Sequence, residues 1–279
     1  MIKQLLAVFS VIFFIPVIGG REQEYQKHIV VVTCSFNNSR FYTKNLDSIL
    51  LQDYSNFNLI YIDDRSWDST YTLVKEYIQT NQCGDRVLLI SNRERKLALS
   101  NLYNNIHRCH KESIIVLVDG DDWLTDNQVL SFINQTYQSG DVWLTYGQFI
   151  MHPTGQIGFN VPYPQEIIDR AGFRYYRSTA SHLRTFYAGL FHQIYIDDLM
   201  FQGNFFTMCY DLAIMFPMLE MARTHFKFID RSLLIYNSEN PLNDHKIDKH
   251  MQRKLDLIIR ARTCYREISN PFADYKGRP

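Results

Sequence analysis

Four short apolar runs, each followed by a polar cluster and then by a stretch of helical spacing, constrain this chain more than any other feature. Residues 28–33 (His-Ile-Val-Val-Val-Thr) read as a buried strand that runs into Cys34-Ser35-Phe36-Asn37-Asn38. Residues 41–51 then set Leu46, Ile49 and Leu50 on one helical face. Residues 58–62 form a second strand pattern ending in Asp63-Asp64-Arg65-Ser66, and residues 67–79 a second helix with Tyr71, Val74, Tyr77 and Ile78 aligned. Residues 86–90 and 97–107 repeat the pair, with the polar stretch 92–96 between them. Strand and helix alternating at this pace predict right-handed crossovers in a parallel sheet, an α/β fold. In such sheets ligands bind beyond the carboxyl ends of the strands, where all these polar clusters fall.

The fourth run, Ile114 to Val118, leads into Asp119-Gly120-Asp121-Asp122. Three carboxylates at the end of a buried strand repel one another and lose hydration. A hard divalent cation bound by their oxygens resolves that conflict. An Asp/Gly turn chosen for backbone reasons accounts equally for the residues taken alone. No G-x-G-x-x-G follows the first strand and no G-x-x-x-x-G-K-[ST] occurs, which speaks against a dinucleotide oxidoreductase and a P-loop enzyme. A nucleotide diphosphate would then be neutralised by a cation together with Arg93, Arg95 or Lys96.

The length of 279 residues suits one large domain. Lysine plus arginine equals aspartate plus glutamate, 29 each, so no global field attracts polyanions and nucleic acid is not an expected partner. Five scattered cysteines without a CxxC or Cys/His spacing read as free thiols. At the N-terminus, Lys3, an apolar stretch over 5–18 and Gly19-Gly20 have the layout of a secretory signal peptide over residues 1–20, with an uncleaved membrane anchor as the second reading. Either places the folded part in a secretory or periplasmic space, or against a membrane.

Together these residues resemble the family-2 glycosyltransferases of the GT-A fold, in particular a bacterial and viral subset with an HLRTF-type segment. "IVVVTCSFNN" is similar to the family's first strand and its Pro-Thr/Ser-Tyr-Asn loop, with Cys34 in place of proline. "LDSILLQDYSNFNLIYIDDRSWDST" is similar to the family's Gln-x-Tyr…Asp-Asp-Gly-Ser-x-Asp stretch, with Arg65 in place of glycine. "LVDGDDWL" is similar to its Asp-x-Asp motif. "ASHLRTFYAGLFHQI", "CYDLAIMFPMLEMA" and "IYNSENPLNDHK" resemble its acceptor-side and closing segments.

The resemblance implies a Rossmann-like, mostly parallel sheet flanked by helices. It implies one domain over 28–279, with a nucleotide-binding half (28–124) and an acceptor and catalytic half (125–279). It also implies a nucleotide-sugar donor, most often a UDP-sugar, a divalent cation (Mn²⁺ or Mg²⁺), and inverting transfer to a hydroxyl on a glycan, lipid-linked or protein acceptor. Carried over by position, Ser35 and Phe36 border the nucleoside and Asp63 or Asp64 bonds the base. Arg95 or Lys96 lies near base or diphosphate. Asp119 contacts ribose or metal, Asp121 is the direct metal ligand, and Asp122 supports the turn. Asp211, at the start of an amphipathic helix carrying Leu212, Met215, Phe216 and Leu219, is the general base, with Tyr210 where glutamate is usual. His245 is a further metal-ligand candidate.

His182-Leu183-Arg184 is a further candidate for contacting diphosphate or acceptor. Blander roles stand beside these: a helix cap for Asp211, a capped start of a last helix over 244–268 for His245, and an ordinary helix with an ion-paired Arg184 for His182-Leu183-Arg184. Glu220 reads as a buried partner or solvated face in preference to a second base. The departures at Cys34, Arg65 and Tyr210 motivate a rival, a nucleotide-sugar-binding protein of the same fold that has lost catalysis. A metal-dependent phosphotransferase or hydrolase with Asp119 as nucleophile is the remaining alternative.

Overall fold

The computed structural model describes residues 26–274, apart from the side chains of Asp244 and His245. The expectation of a signal peptide or anchor over residues 1–20 lies outside the described residues. The first half follows the predicted alternation: β1 (Ile29–Ser35), α1 (Tyr42–Leu50), β2 (Phe57–Asp63), α2 (Thr70–Thr80), β3 (Val87–Ser91), α3 (Leu97–Ile106) and β4 (Ile114–Leu117). The second half is less regular. It runs β5 (Trp123–Leu124), α4 (Val129–Gln138), β6 (Leu144–His152), β7 (Gln156–Ile157), α5 (Gln165–Asp169), β8 (Arg184–Tyr187), α6 (Ala188–His192), β9 (Met200–Phe201), β10 (Asn204–Phe205), α7 (Tyr210–Ala222), β11 (Phe226–Asn237), α8 (Asp244–Ile247) and α9 (Lys249–Arg260).

One sheet has the order β3-β2-β1-β4-β8-β6-β11-β5, and β7 pairs antiparallel with the far end of β6, at Ile150 and Met151. Strands β3, β2, β1 and β4 are mutually parallel, and the long β6–β11 ladder is parallel too, whereas β8 pairs antiparallel with both β4 and β6. The central strands β1 and β4 are buried nearly throughout, because α1 and α2 pack together while α3, α6 and α7 pack in succession. Register then aligns the polar ends. Ser35 lies opposite Asp63 and Asp63 opposite Ser91. On the other side of β1, the amide of Gly120 donates to the carbonyl of Cys34 at 3.0 Å. The chain leaves β1 toward β2 and β3, then returns to β4 on the opposite side. The crevice between the ends of β1 and β4 is therefore the point where the winding reverses.

Three expectations are corrected. Helix α7 is not amphipathic: every residue from Ala213 to Ala222 is buried. Glu220 within it is fully enclosed and forms a two-pronged pair with Arg174, at 2.6 and 3.0 Å. The amide of Ile268 bonds the carbonyl of Met221, so the C-terminal segment covers the face that would otherwise meet water. The last helix does not run over 244–268 but is split at Asp248, whose extended backbone breaks it and whose carboxylate caps α9 by accepting from the Met251 amide at 2.9 Å. His182-Leu183-Arg184 leads into strand β8 and not a helix, because the slot between β4 and β6 supplies pairing partners on both sides.

Candidate functional site

The turn after β4 is held from below. Asn45 of α1, fully buried, donates through Nδ2 to the carbonyls of Asp119 (3.0 Å) and Asp122 (2.8 Å). Gly120 fits because a Cβ there would meet Ser35 Cβ at 2.6 Å and Asn38 Nδ2 at 2.7 Å. The three carboxylates consequently diverge. Asp122 is fully buried, and its Oδ1 accepts from the Asn237 amide at 2.8 Å. Asp121 accepts from Asn240 Nδ2 at 2.7 Å, and Asp119 accepts from the Tyr210 hydroxyl at 2.9 Å.

Asp119, Asp121, Ser35, Phe36, Asp64, Arg95 and Asp211 all line one cavity of about 280 Å³. Asp63 and Lys96 do not line it. Asp63 turns under its own loop, accepting from the Ser66 amide at 3.2 Å, and Lys96 contributes its backbone. Asp64 accepts from the amides of Lys96 (2.9 Å) and Leu97 (2.8 Å) and from Asn92 Nδ2 (2.7 Å), fixing a turn in which Leu97 has φ 64. Arg65, at the position where the resemblance leads one to expect glycine, has φ 61, which is the backbone reason for glycine there. The Arg95 guanidinium lies over the Phe36 ring, 3.2 Å from its centre, with the exposed Trp67 edge-on to the same ring at 4.8 Å. The side chain of His245 lies outside the described residues.

Arg184, 2% exposed, is the buried cation of the site. It lies 3.8 Å from Asp119 and 3.7 Å from Asp211, and donates to the Tyr210 hydroxyl at 3.1 Å and to His182 Nδ1 at 3.3 Å. Tyr210, where glutamate was expected, thus passes a hydrogen bond from Arg184 to Asp119. Burial raises the carboxyl of Asp119 against the opposing pull of Arg184 and Tyr210. Burial, and then the charge of Asp119, pushes Asp121 up to about 6. Burial, and then Asp121 and Asp119, holds Asp122 well above the usual carboxylate range. Burial, followed by the charge of Arg184, keeps His182 neutral, its pKa well below the ordinary value.

This donor set fits a hard divalent cation. Asp122 Oδ2 is buried and has no hydrogen-bond partner among the described residues, and one ligand atom each from Asp119, Asp122 and His182 lies within 4.8 Å of the others. Ionising three clustered carboxylates against one arginine leaves negative charge that a dication would offset. Of the three, Asp119 and Asp121 face the cavity. Asn45 and Asn240 are not singled out by the sequence, because they carry no spacing signal; for Asn240 the polar run Asn237-Ser238-Glu239-Asn240 is a local hint.

The sequence model described as "Glycosyl transferase family 2" matches residues 30–197, more than half of the chain. Among curated proteins, the putative glycosyltransferase EpsE of Bacillus subtilis (strain 168) is 32% identical over 94 residues, 34% of this chain and 33% of that protein. Glycosyltransferase GlyA of Streptococcus pneumoniae serotype 4 is 27% identical over 107 residues, 36% of this chain and 14% of that protein. The chain therefore spans a third or less of the curated relatives it matches. Among solved structures, S. aureus TarS 1-349 in complex with UDP-GlcNAc superposes with TM-score 0.56 at 15% identity, covering 76% of this chain and 59% of that one. The mannosyltransferase PcManGT from Pyrobaculum calidifontis, in complex with GDP-Man and Mn²⁺, gives 0.54 at 16% identity, covering 85% and 64%. At such identities the likeness is one of fold. The sheet order, the crevice at its reversal point and the family match agree: the chain has the GT-A fold and belongs to glycosyltransferase family 2.

Proposed function

We propose that the protein is a metal-dependent, inverting glycosyltransferase that moves a hexosyl group from a UDP-sugar to an acceptor hydroxyl. The observation that carries this reading is the convergence of Ser35, Phe36 and Asp64 with Asp119, Asp121 and Asp211 on one cavity. Phe36 offers its ring to the nucleobase and Asp64 a carboxylate edge beside it. Asp119 and Asp121 would hold a divalent cation, which when bound neutralises charge on the departing diphosphate. Arg95 offers a second positive charge at the mouth of the same cavity.

Asp211 is one third exposed, beside Arg184; of the other carboxylates lining the cavity, Asp119 and Asp121 belong to the β4 turn and Asp64 is engaged by the amides of Lys96 and Leu97. In the proposed reaction the acceptor oxygen bonds the anomeric carbon while the bond from that carbon to the phosphate oxygen breaks. Its electron pair stays with the diphosphate, and the hydroxyl proton passes to Asp211. A single displacement inverts the anomeric centre. Arg184 lies 3.8 Å from Asp119 and 3.7 Å from Asp211, and the Tyr210 hydroxyl donates to Asp119, so these two side chains help to position the carboxylates in the cavity wall.

The test is release of UDP from a panel of UDP-sugars with Mn²⁺. Asp211→Asn is expected to lower turnover about 100- to 10,000-fold while leaving UDP affinity within a factor of about three. Tight UDP binding with no turnover on any sugar and acceptor would overturn the enzyme reading in favour of a binding protein. Release of inorganic phosphate from phosphomonoesters would favour a hydrolase instead.

A further inference from the structure

A second space, a groove of about 580 Å³, opens on the far side of Asp211. Cys209, Asp211 and Gln252 line both the groove and the donor-side cavity, so Asp211 stands at their junction. The remaining wall comes mainly from one face of α9, including Lys249, Arg253, Asp256 and Arg260.

The charges in this wall are not balanced. Arg260 is paired with Asp256 at 2.7 Å and donates to the carbonyls of Arg174 and Tyr176 at 2.6 and 2.8 Å. Asp211 has Arg184 at 3.7 Å behind it. Neighbouring lysines are engaged elsewhere: Lys246 bonds the carbonyls of Ser238 and Asn240, and Lys254 lies over the Phe201 ring. Lys249 and Arg253 are both exposed, and among the described residues no hydrogen bond or ion pair engages either. They stand four residues apart on one helical face, where like charges repel and weaken the helix. An anion seated between them would remove that repulsion and gain two charge-assisted contacts.

We infer that this groove is the acceptor subsite, and that the acceptor carries an anionic group, a phosphate or a carboxylate, close to the hydroxyl that receives the sugar. Lys249 and Arg253 hold the anion, and the hydroxyl reaches Asp211 at the junction. The inference rests on Asp211 being the general base and on the other cavity being the donor site.

The experiment uses the full chain and needs no turnover. Binding of glycerol 3-phosphate, glucuronate and neutral glycerol is measured by calorimetry at low ionic strength, for the native protein and for the double variant Lys249→Gln/Arg253→Gln. The native protein is expected to bind one or both anions and not glycerol, and the double variant to bind the anion at least tenfold more weakly. An unchanged melting temperature shows that the variant is folded. Preference for glycerol 3-phosphate assigns a phosphate-bearing acceptor, and preference for glucuronate an acidic sugar. Failure of the native protein to bind either anion overturns the inference. So does binding that the double variant leaves intact, or binding that UDP abolishes by competition, which places the anion in the donor cavity. A parallel UDP titration is independent: if UDP fails to bind while the anion binds as expected, the donor reading fails and the groove remains.

Discussion

Asp121→Asn separates a carboxylate kept for a cation from one kept for a turn, because the two roles predict stability changes of opposite sign. Asp121 is 9% exposed, and Asn240 Nδ2 donates to it at 2.7 Å. An asparagine keeps an acceptor oxygen for that bond and removes only the charge. The native carboxyl is raised from 3.8 to about 6 by burial and by Asp119. A folded pKa above the unfolded one means that ionisation is penalised in the folded state. The penalty is present above pH 6, is relieved as pH falls through 6, and is gone below about 4. At about 1.4 kcal/mol per pH unit of displacement, it amounts to about 3 kcal/mol. Without metal at pH 7.5, Asp121→Asn is therefore expected to raise the melting temperature by about 6–12 °C for a chain of this size. Near pH 4 the two proteins should melt together. With Mn²⁺ the order should reverse, since the native site gains the cation and the variant does not. Scanning calorimetry in EDTA and in Mn²⁺, at both pH values, reads all four cases. A metal-free variant less stable than the native protein at pH 7.5, or equal stabilisation of both by Mn²⁺, would rule out a cation-binding role for Asp121.

Arg184→Met removes the buried guanidinium that faces Asp119 and Asp211, and should cost about 3 kcal/mol in urea unfolding. Arg184→Lys should recover only part of this, because one ammonium cannot reproduce the forked contacts to Tyr210 and both carboxylates. Gly120→Ala should cost about 1–3 kcal/mol, since its Cβ would fall 2.6 Å from that of Ser35, and should weaken UDP binding by displacing the end of β1, both read by thermal shift with and without UDP. Arg65→Gly, at φ 61 with an exposed side chain, should stabilise the protein by up to about 1 kcal/mol in chemical denaturation.

The parallel half of the fold is legible in the sequence alone. Apolar runs of strand length alternating with helical spacing leave few topologies, and polar clusters at strand ends mark the ligand side whatever the partners turn out to be. Ser35, Phe36, Asp64, Arg95, Asp119, Asp121 and Asp211 were all legible in this way or through the family resemblance, and the structure brings them to one cavity. Tertiary structure decided what local spacing does not encode. Asp63 and Asp64 are adjacent and chemically identical, yet the alternation of a strand end sends one under its loop and the other toward the cavity. The burial of α7 follows from the C-terminal segment folding over it, and the segment around Arg184 becomes a strand only because β4 and β6 leave a slot between them. The same packing brings Arg184 of β8 and Tyr210 of α7 against Asp119 of the β4 turn, so that residues far apart in the chain share one charge balance. Buried charge is settled by the whole set of neighbours, and only the folded chain assembles that set.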